Sequence, residues 1–277
     1  MQIAVTGASG ELGRALVPYL LAQGHAVVSL DRSMPAVSFV TSAHTARAII
    51  ADLTDFGQVV ASLRDCDAVI HLAAHRSPVN APDPVVYNEN TASSYNVLSA
   101  AAVLGIRRVC LASSINAIGV VFSRSPRYDY FPLDEQHPTY AEDPYALSKW
   151  VLEQQADAFA RRYDWLSIAS LRFHWLCESR AQAAERNKAF GLGAVRHLWG
   201  YILLSEASRA CLLALTAPFT GHHTMYIVAP RTVAEGPSLE LARQYYPDTP
   251  IRGELAGQTS FFNCARAEHV LGWRHED

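Results

Sequence analysis

The first fourteen residues restrict the fold more than any other stretch of this chain. Residues 2–6 (Gln-Ile-Ala-Val-Thr) have the pattern of a short apolar strand. Gly7, Ala8, Ser9, Gly10, Glu11, Leu12 and Gly13 follow, and Arg14 leads into an amphipathic helix. Strand, glycine-rich turn and helix in that order make a phosphate site. Gly7 permits the sharp turn, Gly10 lets the backbone approach a pyrophosphate, and Gly13 lets the helix pack close to the sheet. The helix N-terminus adds free N–H groups and a positive dipole end. Asp31 lies 18 residues after Gly13, at the end of a second apolar strand (26–30), where a carboxylate can accept hydrogen bonds from an adenosine ribose. Arg32 beside it is the residue type that accommodates a ribose 2′-phosphate, so the pair favours NAD over NADP without excluding NADP.

The alternation begun there continues. Residues 33–45 read as a loop on the cofactor side, and 46–50 as a third strand ending at Asp52 and Leu53. Asp52 suits either an adenine contact or the cap of a helix over 55–65, a role that Thr54 and Asp55 also fit. A strand over 68–72 runs into the small residues Ala73 and Ala74, against which a flat cofactor can lie. A helix over 85–105 carries Asn88 and Asn90, and a strand over 109–112 leads to Ser113 and Ser114. Residues 119–142 are irregular, as functional loops are. A helix over 144–163, with Pro144 in its first turn, precedes a strand over 165–171 closed by Arg172. Strands alternating with helices predict a doubly wound parallel sheet with helices on both faces and ligands at the strands' carboxyl ends. Further on, helices are expected over 178–190, 205–216 (with a capping-box-like start) and 238–246, a strand over 224–228, and a last helix within 261–273.

Composition narrows the classes. Half of the 277 residues are hydrophobic and 18% are charged, enough for a sizeable core. A net charge of −3 gives no reason to expect nucleic acid or an anionic membrane. No uncharged apolar run reaches transmembrane length. The five cysteines are scattered and odd in number, as reduced thiols are, and the chain opens on a strand without a signal-peptide pattern; both predict a cytoplasmic protein. The 11 histidines form no cluster with cysteines at metal-ligand spacing, so no metal site is expected.

The second informative motif is Tyr145-Ala-Leu-Ser-Lys149. Four residues apart on a helix, Tyr145 and Lys149 share a face. A nearby ammonium stabilises a phenolate and lowers the phenol's pKa, which equips the pair for proton transfer to or from a hydroxyl or carbonyl; Ser114 can polarise the same oxygen. With these residues the chain resembles an extended short-chain dehydrogenase/reductase of the NAD-dependent epimerase/dehydratase family. The resemblance rests on Thr6 to Gly13, Asp31, the Asp52-Leu53 pair, His71-Leu72-Ala73-Ala74, Asn90, the Ser114–Tyr145–Lys149 triad, Arg172 and Leu271-Gly272-Trp273.

That resemblance implies a Rossmann-type fold with a dinucleotide-binding core over 1–172. A small C-terminal substrate lobe over 173–277 is interleaved with it and does not fold independently. It implies that Tyr145 exchanges a proton while hydride passes to or from nicotinamide, that Lys149 holds the nicotinamide ribose, and that Ser114 orients the substrate oxygen while Asn90 supports the site. Ile115 and Asn116 stand where dehydratases place an acidic pair, which argues against dehydration. The stretch between Arg172 and Trp199 is short for gripping a nucleotide diphosphate, and short members of this kind resemble uronate dehydrogenases. A small sugar or sugar-acid substrate is therefore expected, contacted by His75, Ser113, Asn116, His174 and an arginine, Arg180 or Arg186. Two alternatives are a nucleotide-sugar 4-epimerase with tightly bound NAD and a non-catalytic dinucleotide sensor. Relatives also imply a homodimer through the helices 85–105 and 144–163.

Overall fold

The computed structural model describes residues 1–33 and 46–276, so most of the loop expected over 33–45 lies outside the described residues. Strand β1 (Gln2–Thr6) is followed by helix α1 (Glu11–Ala22), β2 (Ala26–Asp31), β3 (Ala46–Ile50), α2 (Phe56–Leu63) and β4 (Ala68–His71). Then come α3 (Asp83–Leu104), β5 (Arg108–Ser114), a short helical turn (Ile115–Ile118), α4 (Pro144–Arg162) and β6 (Ser167–Phe173). The C-terminal part holds β7 (Leu176–Cys177), α5 (Arg180–Phe190), α6 (Gly193–Arg196), β8 (Ile202–Leu203), α7 (Leu204–Thr216), β9 (Gly221–Ile227), α8 (Ser238–Tyr245) and α9 (Ala265–Leu271).

Among the described residues, seven strands form one parallel sheet in the order β3-β2-β1-β4-β5-β6-β9, and β7 pairs with β8 separately. The chain leaves β1 towards β2 and β3, then crosses to β4 on the other side, so the order reverses beside β1. The glycine turn stands at the carboxyl end of that switch point, where open sheets of this kind form a crevice. Strand alternation supplies two cores. Ile3 and Val5 pack with Leu16, Leu20, Cys211 and Trp273 on one face, whereas Ala4, Val28, Val69 and Val109 pack with Val97 and Leu152 on the other. The first core thus joins α1 to α7 and α9, and β9 lies beside β6, so the chain after Phe173 returns to the sheet. A third cluster holds the irregular segment 119–142: Phe131 and Leu133 are fully buried against Phe261, and Leu133 bridges to Phe262.

Local chemistry explains several boundaries. Asp143 caps α4 by accepting from the Ala146 N–H at 2.9 Å, with Pro144 in the first turn. Asp55 caps α2 through the Gln58 N–H, whereas Asp52 turns onto Thr54 instead. Helix α3 starts two residues before the expected Val85, because Pro84 suits its first turn. The capping box expected at the start of α7 does not form: its N-terminal residue Leu203 has no capping side chain, and the Ser208 hydroxyl donates back to the Leu204 carbonyl. Arg172 does not close β6 but lies inside it, buried. No helix among the described residues is long and apolar enough to cross a membrane, and all five cysteines are free.

Candidate active site

The glycine turn has the close approaches that its sequence predicts. A Cβ on Gly7 (φ +67°) would stand 2.7 Å from the Ala73 nitrogen, and one on Gly13 would stand 2.4 Å from the Gly7 carbonyl oxygen. The Thr6 hydroxyl locks the neighbouring strand end: it accepts from the N–H groups of Leu72 and Ala73, each at 3.2 Å, and so donates to Nδ1 of His71 at 2.8 Å. Burial, with the Lys149 charge adding to it, pushes the His71 imidazole down to about 3, so it stays neutral.

Two cavities share this turn. One, of about 320 Å³, is lined by Ser9, Asp31, Arg32, Leu53, Ala73 and His75, with Glu89 and Asn90 on its far wall. The other, of about 500 Å³, runs from Glu11, Leu12 and Gly13 to Ser114, Tyr145 and Lys149. Gly7, Gly10, Leu72 and Ala74 line both, so the two make one groove across the switch point. A dinucleotide fits this groove. Asp31 faces one end, accepting from the Ser9 N–H at 2.9 Å and from its neighbour Arg32, while the Ser9 hydroxyl beside it is buried without a hydrogen-bond partner among the described residues. Asp52 does not reach the groove; its neighbour Leu53 does. Arg32 is paired at 2.6 Å with Glu89, which also holds His75 at 2.8 Å.

At the other end Ser114, Tyr145 and Lys149 are all buried. Lys149 donates to the Ala112 carbonyl at 2.7 Å, and its ammonium lies over the Tyr145 ring, 5.9 Å from the centroid. The expected lowering of the phenol by this lysine is not what governs it here. Burial raises the Tyr145 phenol, and the main opposing influence is a hydrogen bond with the Ser114 hydroxyl. Burial also pushes Lys149 down to about 8, against the pull of Glu153 one helical turn on. Asn90 acts from behind. Its side-chain amide donates to and accepts from the backbone of His75, and also donates to Ser148, whose hydroxyl donates to the Tyr145 carbonyl.

The residues expected to contact substrate divide. Asn116 lines the large cavity near Ser114, its side-chain oxygen accepting from Val121. His174 also lines it, but both ring nitrogens are engaged: Nδ1 accepts from the Trp175 N–H at 2.6 Å and Nε2–H donates to the His197 carbonyl at 2.8 Å. Ser113 also lines the large cavity, although its hydroxyl donates to Glu153 at 2.6 Å on the opposite side of β5 from Ser114. His75 lines the smaller cavity beside Asp31, not the one at Tyr145. Exposed Arg180 donates to Thr232 and Gln258 and does not line the large cavity; Arg186 does, and so does Arg76. Sequence reasoning missed Phe122, Trp175, Phe190 and His197 in the wall. No local motif marks them, although an aromatic run just after β6, at a strand's carboxyl end, was a usable signal.

Burial pushes His174 down to about 3. The unfolded chain therefore binds this proton below about pH 6.5 while the folded chain does not, so stability falls as pH drops through that value. Between about pH 7.5 and about pH 5.5 this residue accounts for roughly 1.4 kcal/mol of lost stability. Urea titrations at the two pH values should show His174→Gln flattening the fall by that amount; an unchanged slope would refute a neutral buried His174.

Comparison with known proteins identifies the family and the fold. The NAD dependent epimerase/dehydratase family matches residues 3–229. The chain is similar to a dTDP-6-deoxy-L-talose 4-dehydrogenase (NAD(+)) of Aggregatibacter actinomycetemcomitans, 30% identical over 64% of this chain and 62% of that one. It is also similar to a putative dihydroflavonol 4-reductase of Synechocystis, 31% identical over 55% of this chain and 43% of that one. The chain thus spans about half of the length of these curated relatives. A mutated uronate dehydrogenase shares the fold, with a TM-score of 0.71 and 22% identity over all of this chain and 82% of that one. Fold, glycine turn and family match agree: this chain belongs to the NAD dependent epimerase/dehydratase family.

Proposed function

We propose that this protein is an oxidoreductase that transfers hydride between a nicotinamide dinucleotide and the hydroxyl or carbonyl of a small carbohydrate-derived molecule. The single observation behind this reading is the continuous groove that has Asp31 at one end and Ser114, Tyr145 and Lys149 at the other. NAD, when bound, supplies the hydride acceptor or donor. Gly7, Gly10 and Gly13 leave room for its pyrophosphate at the N-terminus of α1, and Asp31 and Ser9 hold its adenosine ribose. Lys149 orients the nicotinamide ribose and places positive charge beside Tyr145. The Tyr145 phenol gives its proton to the oxygen of a substrate carbonyl as hydride arrives and is left as phenolate; in the reverse direction the phenolate takes the proton back from the hydroxyl, and Ser114 holds the same oxygen. Residues between Phe173 and His197, together with Ile115, Asn116, Val121 and Phe122, supply the substrate side of the cavity.

Asp31 favours NAD, because its carboxylate bonds a free 2′-hydroxyl and repels a 2′-phosphate. Asp31→Ser should lower the preference for NAD over NADP by roughly tenfold or more, read as the ratio of kcat/KM values. An unchanged ratio would remove Asp31 from the ribose site. The same reading takes the chain as a cytoplasmic homodimer paired through α3 and α4, which leave Tyr95 and Val103 exposed; a monomer by light scattering at micromolar concentration would refute the pairing.

The test of the activity itself begins with the purified protein. It is denatured and assayed for released NAD or NADP, and the native protein is screened for NADH formation on free aldoses, sugar acids and small hydroxy compounds. An exchangeable cofactor and NADH on one substrate class are expected. Tightly held NAD without net reduction would favour an epimerase instead, and failure to bind either cofactor would overturn the proposal.

A further inference from the structure

An aspartate followed by an arginine at the end of β2 serves either dinucleotide: the carboxylate suits a free ribose 2′-hydroxyl, and the guanidinium suits a 2′-phosphate. The structure shows where the charge of Arg32 goes. Its Nη2 lies 2.6 Å from Oε2 of Glu89, on the α3 wall of the smaller cavity, and the same oxygen accepts from the His75 Nε2–H at 2.8 Å. This carboxylate is held in place. The adjacent Asn90 accepts from the His75 N–H at 2.8 Å and donates to its carbonyl at 3.0 Å. α3 thus fixes the His75 backbone, and the His75 ring returns to α3 at Glu89. Hydrogen bonds from His75, and then from Arg32, hold the Glu89 carboxyl below the usual carboxylate range, so it is ionised at neutral pH.

Charge, rather than the number of N–H donors, decides the consequence. Arg32 keeps further donors, but its single positive charge is already balanced by Glu89, and Asp31 beside it adds a second carboxylate to the same cavity. Arg76 also lines this cavity and is paired with Glu11 at 3.0 Å. A 2′-hydroxyl adds no charge to that balance. A 2′-phosphate adds roughly two negative charges, and it wins Arg32 only in competition with Glu89. Arg32 and Glu89 are 55% and 32% exposed, so solvent screens the effect and its size is that of a surface pair.

We propose that Glu89 is a positioning residue for cofactor choice: it ties the Arg32 guanidinium to α3, withholds it from a 2′-phosphate, and so makes the Asp31–Arg32 pair select NAD. This rests on the dinucleotide reading of the groove given above and adds to Asp31 a second determinant on another element. Glu89 touches no reacting atom. It acts through Arg32, and its effect therefore falls on the 2′-phosphate and not on the nicotinamide end.

The test needs no substrate. NADH and NADPH are titrated by fluorescence into the purified wild type, Glu89→Gln, Glu89→Ala, Arg32→Gln, and the Arg32→Gln protein carrying Glu89→Gln. The wild type should bind NADH more tightly. Glu89→Gln keeps the shape of the side chain and removes its charge, and it should raise the affinity for NADPH relative to NADH by at least about threefold, the scale of an exposed charge pair. Glu89→Ala, which also removes the hydrogen bond, should do so at least as strongly. The gain should vanish in the Arg32→Gln background and shrink in about 1 M salt, where exposed charges are screened within about 3 Å. A structural role would move both cofactors alike and leave their ratio unchanged. An unchanged ratio, a gain that survives Arg32→Gln, or a wild type that prefers NADPH would overturn the role of Glu89 and leave the dinucleotide reading intact. A wild type that binds neither cofactor would overturn both.

Discussion

Tyr145→Phe is expected to bind NAD as the wild type does and to lose turnover by at least about a hundredfold, the lower end of what a positioned acid–base group contributes. The substitution removes one oxygen from a buried ring and leaves the ring's own packing in place. The edge-on contact with Phe122 involves the ring, and the Ser148 hydroxyl bonds the Tyr145 backbone carbonyl, which the variant keeps. The Ser114 hydroxyl loses a partner but retains the Asn116 N–H at 3.1 Å. Nothing in the glycine turn or around Asp31 touches the phenol, so a fluorescence titration with NADH should be unchanged while the steady-state rate collapses. A variant that retains most of its rate would show that the proton moves elsewhere, and the proposed mechanism would fall. Loss of NADH binding together with rate would mean that Tyr145 serves the cofactor instead.

The fold was legible where the physics is local. β1, β2, β4 and β5 are short apolar runs bounded by turn residues, and the glycine turn is defined by atoms within its own hairpin of chain and at the adjacent end of β4. The same holds for Asp31, which is placed by strand length alone. The substrate side was not legible, because β7 and β8 are two residues each and show no period, and Trp175, Phe190 and His197 meet only through tertiary packing. Two side-chain placements had signals in the sequence. Adjacent residues of a strand face opposite sides, so Ser113 and Ser114 could not both present their hydroxyls to one cavity. Asp52, Thr54 and Asp55 were all fit to cap α2, and the one immediately preceding its first residue did so. The role of Arg172 had no such signal: a charged residue after an apolar run looks like a strand's end, and its partner lies 19 residues earlier on another element.

That partner makes the second large prediction. Arg172 and Glu153 are both buried, joined by two hydrogen bonds of 2.9 and 2.8 Å, and the arginine also donates to the Tyr226 hydroxyl at 3.2 Å. Replacing Arg172 by Met leaves the Glu153 carboxylate buried with, among the described residues, the Ser113 hydroxyl alone hydrogen-bonded to it. Loss of one partner from a buried pair costs about 3–5 kcal/mol, and urea unfolding of Arg172→Met should show a loss on that scale. Replacing both, with Glu153→Leu added, removes the stranded charge and should recover most of the stability, because an apolar pair of similar volume is close to neutral. Activity should not recover in parallel. Glu153 is one helical turn from Lys149 and holds its pKa up against burial, which already pushes it to about 8. Without that carboxylate the lysine loses its proton at lower pH, so the alkaline fall in activity should move to lower pH in the double variant even where its stability matches the wild type. Full recovery of both stability and pH profile would show that the pair only fills space; recovery of stability alone would tie the buried ion pair to the charge state of Lys149.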